Sequence, residues 1–198
     1  MRPALKHAFD LFDFPSQARV ARKAPLPPDL VLLLRIAAGD DETLREAVRV
    51  SGRPPRVVRD AAGFFIEQVL LFPEADSYRV LGASPTAANS ELRRNMALLL
   101  RWLHPDIDQK GERSVFAARV TKAWSDLKTT DRRAAFDQQL QKTQAEARLR
   151  EKRRSRRLKD QSRRNSSRGA AHHAPRHFDE EPGLLRRLLF TIFGRAAF

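Results

Sequence analysis

Apolar side chains recur along most of this chain at intervals of three and four, the spacing of one helical face. Val58, Ala61, Phe65, Val69 and Phe72 form one such stripe. Leu92, Met96, Leu99 and Leu103 form a second, and Phe116, Val120, Trp124 and Leu127 a third. The pattern predicts an all-helical protein. Residues 29–72 read as a compact helical unit. Asp29 is placed to N-cap a helix over Leu30–Ala38 that Gly39 stops, and Asp40 or Asp41 to cap a second through Val50, ended by Gly52. Pro54-Pro55 opens a third helix, since proline's missing N–H costs nothing in a first turn. A glycine between two helices also fits a helix-turn-helix DNA reader, although turns between packed helices use glycine commonly.

In 76–140 the same logic predicts a second unit. Asp76-Ser77 starts a short turn holding Tyr78, Val80 and Leu81, and Gly82 stops it. Asn89 or Ser90 then caps a long helix reaching Leu103. A charged loop, His104–Arg113, leads to another long helix packed antiparallel to the first, and a short helix begins near Asp131. Residues 1–28 are rich in Pro and Phe and read as largely irregular, with a short helix near Leu5–Phe12; Phe9, Phe12 and Phe14 are expected to pack back on the chain.

Charge changes the picture beyond residue 140. The chain of 198 residues carries a net +14, and residues 141–168 hold twelve Lys or Arg against three Asp or Glu, a local charge of +9. With only Leu149 and Leu158 as large apolar groups, this segment buries no face; it is an exposed extension of the preceding helix or disordered. Residues 169–182 read as a linker containing Gly, His and Pro. In 183–198, Leu184, Leu185, Leu188, Leu189, Ile192 and Phe193 outline an amphipathic helix, too short to span a bilayer but able to lie in its surface or meet a partner. The excess of positive charge favours anionic partners: RNA, an anionic membrane surface or an acidic protein face. The absence of cysteine excludes disulfides and thiolate metal sites and fits a reducing compartment. Asp10 and Asp13 interrupt the N-terminal apolar residues, so no secretory signal is expected, and a cytoplasmic protein is, with peripheral membrane contact through the tail. His172, His173 and His177 lack a second ligand cluster, so no metal is expected.

The chemistry concentrates at His104-Pro105-Asp106. A histidine near a carboxylate suggests a general base, but a catalytic constellation also needs a nucleophile or metal and a pocket, which the sequence does not supply. Proline between the two polar residues makes a rigid turn that fixes their outward direction, which suits recognition. The segment 76–140, about a third of the chain, resembles a J-domain, the module of the DnaJ family of Hsp70 co-chaperones. The residues that carry the resemblance, in order, are Tyr78, Leu81, Gly82, the leucine helix, His104-Pro105-Asp106, then Val120, Trp124, Leu127 and Asp131-Arg132-Arg133-Ala134-Ala135-Phe136-Asp137.

The resemblance implies that the His-Pro-Asp turn and the basic face of the preceding helix bind an acidic surface of a DnaK-type Hsp70. That contact promotes ATP hydrolysis by the chaperone and locks it onto a client protein. Arg93, Arg94 and Arg101 would supply steering and charge-assisted contacts, His104, Pro105 and Asp106 the specific part. The chain itself would be no enzyme and would need no cofactor. It departs from the family pattern where Met96 replaces a usual tyrosine, Ala97 and Leu98 replace commonly basic residues, Trp102 replaces a common lysine, and Lys128-Thr129-Thr130 replaces a Ser-Asp-Pro. It lacks the Gly/Phe-rich segment and cysteine zinc module of full-length DnaJ, and so is similar to the J-proteins that share only the J-domain. The thinned positive patch leaves a rival reading: a nucleic-acid or ribosome-associated binding protein with a J-like fold and little Hsp70 activity. The apolar surface at Leu98 and Trp102 is suited to meeting the N-terminal helical unit.

Overall fold

Local capping chemistry sets several of the helix boundaries in the computed structural model, which describes residues 1–104 and 114–171. Asp40 accepts the backbone N–H of Thr43 and opens α4 (Asp41–Ser51), which ends at Gly52 with φ 68°. That bond from the Thr43 N–H holds the Asp40 carboxyl below the usual carboxylate range. Pro55 is the first residue of α5 (Pro55–Phe65), and the helix continues as a π-helical turn over Ile66–Leu70, where the Leu71 N–H reaches the Ile66 carbonyl. Asp76 accepts from the Arg79 N–H and opens the single turn α6 (Ser77–Val80). Further along run α7 (Asn89–Trp102), α8 (Ser114–Leu127) and α9 (Thr130–Ala171), with α3 (Val31–Ala37) preceding α4. No strand occurs among the described residues, so the described chain is all-helical.

The first 28 residues are more ordered than their proline content suggests. Helix α1 spans Pro3–Asp13, followed by a 3-10 turn over Pro15–Gln17 and the short α2 (Ala18–Ala21). Ala4, Leu5, Ala8 and Phe9 repeat at three and four and are buried, so α1 belongs to the core and packs on α5. Phe12 meets Phe64 edge to face at 5.9 Å, while Phe14 stays 60% exposed, so only two of the three expected phenylalanines pack inward. Asp29 does not cap the helix that follows it, which has no side-chain cap. One of its carboxylate oxygens accepts the Ala4 N–H at 3.0 Å, closing the start of α1 from 25 residues away. Nor does Asn89 or Ser90 cap α7: the helix starts at Asn89 after an uncapped Ala88, because the Asn89 amide is engaged elsewhere, donating to the Lys128 carbonyl at 2.8 Å.

Met1–Thr143 forms one compact unit, and a second begins at Gln144. Within the first, 1–28, 29–72 and the following helices share a continuous core rather than forming separate ones. Leu33, Leu34 and Ile36 of α3 and Val58, Ala62 and Phe65 of α5 join Leu92, Leu99 and Trp102 of α7 and Val120 and Leu127 of α8. Helix α3 packs on both α5 and α7, which is what joins the N-terminal helices to the later ones.

Two tertiary devices hold this core. At the carboxyl end of α5 and its π-turn, three arginines donate to backbone carbonyls. Arg22 reaches Gln68 (2.8 Å), Arg79 reaches Val69 (3.0 Å), and Arg119 reaches Leu71 and Phe72 (2.5 Å to the latter). Cations satisfy the last carbonyls of a helix and complement its dipole. At the end of α6, Gly82 has φ 61°, and a Cβ there would stand 2.8 Å from a Leu30 methyl and 3.1 Å from a Leu70 methyl. Gly82→Ala therefore combines backbone strain with overpacking and is expected to cost about 2–3 kcal/mol. Gly39→Ala, at φ 82° with nothing within 4 Å, carries the backbone part alone, about 1 kcal/mol. Urea denaturation of both variants checks the difference.

The last helix, α9, runs far past the short one expected near Asp131: it continues unbroken to Ala171. No Gly or Pro interrupts residues 130–168, and Arg, Lys, Gln, Glu and Ala dominate, all strong helix formers. The basic segment is thus helical, and so are residues 169–171, which composition assigned to a linker. No helix among the described residues is long and apolar enough to cross a membrane.

Candidate functional site

The site is built on α7. Leu92 and Leu99, with Leu103 just beyond the helix, face the core, and this fixes which side of the helix meets solvent. Arg93, Arg94 and Arg101 fall on the exposed side; Arg93, Ala97 and Arg101, at i, i+4 and i+8, form one row. The helix closes where the Leu103 N–H bonds to the Leu99 carbonyl and the His104 N–H to the Arg101 carbonyl. His104 is exposed, one turn beyond the last arginine of the row. The structure thus places four of the six residues expected to dock a partner on one surface; Pro105 and Asp106 lie outside the described residues, as do Leu185, Leu188, Leu189, Ile192 and Phe193 of the tail.

Helix α8 lies antiparallel beside α7, since Asn89 at the start of one bonds to Lys128 just past the end of the other. Between them runs an open groove lined by Arg93, Arg94, Ala97, Lys128 and the half-buried Trp124. The sequence placed Trp124 among the core residues; the groove shows that part of its ring also faces outward.

Periodicity did not single out Asn95, which nonetheless ties α7 to the turn that ends α6. It is 2% exposed, and its amide donates to the carbonyls of Leu81 (3.0 Å) and Gly82 (3.2 Å). A polar residue three positions from Leu92 and four from Leu99, inside the apolar stripe, was the available signal. Buried polar groups must find partners, and these carbonyls belong to the turn that ends α6.

Behind this pair, α6 is tied to α8 and α9. Ser77 donates to Asp126 (2.8 Å), which also accepts from Lys122 (2.7 Å). The Tyr78 hydroxyl donates to Asp137 (2.7 Å) and accepts from Arg133 (3.0 Å), whose guanidinium also reaches the Pro85 carbonyl (2.5 Å). Burial, reinforced by the bond to Asp137, pushes the Tyr78 hydroxyl above its ordinary pKa. Tyr78 also meets Phe136 edge to face at 5.7 Å. The residues Tyr78, Arg133, Phe136 and Asp137, read from the sequence only as an ordered motif, are therefore a contact cluster.

Leu98 packs against the core and Trp102 is 4% exposed, with its ring beside Gly63 of α5. Trp102 thus meets the N-terminal helices, and the exposed face of α7 carries its three arginines. Such a surface, together with the histidine at its end, is equipped to bind an anionic partner by steering and charge-assisted hydrogen bonds. No protein-family model, curated protein or solved structure matches the chain.

Proposed function

We propose that this chain is a co-chaperone that docks a DnaK-type Hsp70 through a J-domain over residues 76–140 and stimulates its ATP hydrolysis. The observation that carries the reading is the ordered motif Tyr78, Leu81-Gly82, leucine helix, His104-Pro105-Asp106, Trp124 and Asp131–Asp137. The antiparallel α7–α8 pair supports it, with α6 before it, the start of α9 after it, and an exposed His104 at the end of an arginine row. In this reading the arginines of α7 raise the encounter rate with an acidic face of the Hsp70, and the His-Pro-Asp turn supplies the contact that the ATPase responds to. The turn acts by recognition; hydrolysis takes place in the partner, and a client protein is what the stimulated Hsp70 then retains.

Single-turnover ATP hydrolysis by the Hsp70, measured with the full-length protein in several-fold excess, tests this. Stimulation is expected with the natural chain and basal hydrolysis with His104→Gln, while the melting temperature of that variant stays unchanged. An ATPase indifferent to the natural chain defeats the reading, and a loss of fold in His104→Gln would make the histidine a structural residue instead.

A further inference from the structure

Helix α9 continues through a segment of unusual charge density, and the co-chaperone reading makes no use of it. Between Arg148 and Lys159, eight of twelve residues are Lys or Arg and one, Glu151, is acidic. Every residue in that stretch is exposed, Leu149 and Leu158 included at 51% and 57%. At 1.5 Å per residue the stretch is about 18 Å long and carries a net charge of about +7.

The arrangement of those charges distinguishes among anionic partners. With about 100° between successive residues, the eight cations spread over roughly two thirds of the circumference instead of forming one stripe. Leu149 and Leu158 are nine positions apart, a rotation of about two and a half turns, so they project from opposite sides. An interfacial membrane helix needs an apolar face beside its basic one, and this segment has none. A duplex nucleic acid needs no apolar face. It presents about one negative charge per 1.7 Å of axis, or roughly ten along the length of this stretch. Any half of the circumference centred in the basic arc offers about five or six cations to such a surface.

We infer that Arg148–Lys159 is a binding surface for the phosphate backbone of duplex nucleic acid, recognising charge and not base sequence. DNA and RNA duplexes share this chemistry, and the experiment separates them. Fluorescence anisotropy of the full-length protein with labelled DNA and RNA duplexes of about 20 base pairs is measured as salt rises from about 50 to 200 mM. With about five phosphate contacts the affinity should fall several hundred-fold over that range. The variant combining K152Q, R153Q, R156Q and K159Q keeps residues of good helix propensity on an exposed helix. It is expected to flatten the logarithmic salt slope by about three to four units and to weaken binding at low salt at least about a hundredfold. Binding to either duplex with that response supports the inference and identifies its source. No binding to either duplex at 50 mM salt, a slope the four substitutions leave unchanged, or binding to vesicles containing phosphatidylglycerol with none to the duplexes, would each overturn it. The outcome is separable from the co-chaperone reading, because His104→Gln should leave duplex binding intact and the four-glutamine variant should still stimulate the Hsp70.

Discussion

Replacing Trp102 with alanine is expected to destabilise the first unit by about 3–5 kcal/mol, the range for deleting a buried aromatic side chain. In a unit of this size that lowers the melting temperature by roughly 10 °C or more. The expectation follows from where the indole sits: 4% exposed, within the shared core, with its ring against Gly63 of α5. The two helices approach closely here, since a Cβ at Gly63 would sit in ordinary contact with the ring, at 3.6 Å. Trp102→Phe keeps most of the apolar area and should recover more than half of the loss. The consequence reaches the candidate site, because Trp102 ends α7 two residues before His104. If the chain acts as the co-chaperone proposed above, weakened packing there should lower Hsp70 stimulation even where the protein remains folded at the assay temperature. Thermal denaturation followed by circular dichroism, paired with the ATPase assay, measures both. A Trp102→Ala protein that melts with the natural chain would mean that the indole lies outside the core and that α7 does not lean on the N-terminal helices.

Arg79→Ala is expected to cost about 2–3 kcal/mol, through three carbonyls rather than through lost apolar area. Its guanidinium donates to Val69 at the end of the π-turn (3.0 Å), to Ala21 (2.9 Å) and twice to Ala24 (3.1 Å). It thereby joins three segments: the end of α2, the carboxyl end of α5 and the turn α6. It lies beside the Phe72 ring, 6.0 Å from the centroid, with Arg22 5.4 Å from the same ring. Burial draws the Arg79 pKa down from its usual value. Hydrogen bonds from a charged donor outweigh neutral ones, and carbonyls left without a donor at a covered site carry their desolvation cost. Arg79→Lys should restore less than half of the stability, since one ammonium cannot span carbonyls that a planar fork reaches from both sides. Urea midpoints for the three proteins order as Arg, Lys, Ala if this account holds; equal midpoints for Arg79 and Arg79→Ala would reduce the cluster to a surface feature.

The exposed arginines of α7 and the helix leading into His104 were legible because both follow from periodicity: once Leu92 and Leu99 face inward, Arg93 and Arg101 have to face out. Legible too were the boundaries at Asp40, Gly52, Pro55 and Asp76, each set by a bond or a dihedral angle within a few residues. The helix expected near Leu5–Phe12 is present as α1, but the irregular reading of the rest of 1–28 missed the turns over Pro15–Gln17 and Ala18–Ala21. Helix α1 is also longer than expected, because Ala4, Leu5, Ala8 and Phe9 join the core once α5 covers them. Helix propensity alone stabilises so short a helix poorly in isolation; tertiary packing decides it.

By itself the sequence determined an all-helical chain, the faces of its long helices, the basic character of the segment after residue 140 and the motif around His104, since all of these are written in neighbouring residues. The tertiary structure decided that Asp29 closes a helix 25 residues before it, that Arg79 binds a carbonyl 58 residues away, that Asn95 locks onto the turn ending α6, and that Trp102 turns inward. A capping carboxylate or a guanidinium will serve any backbone group that arrives at the right distance. Which one arrives depends on how the apolar faces of several helices pack together, and local spacing carries no record of that choice.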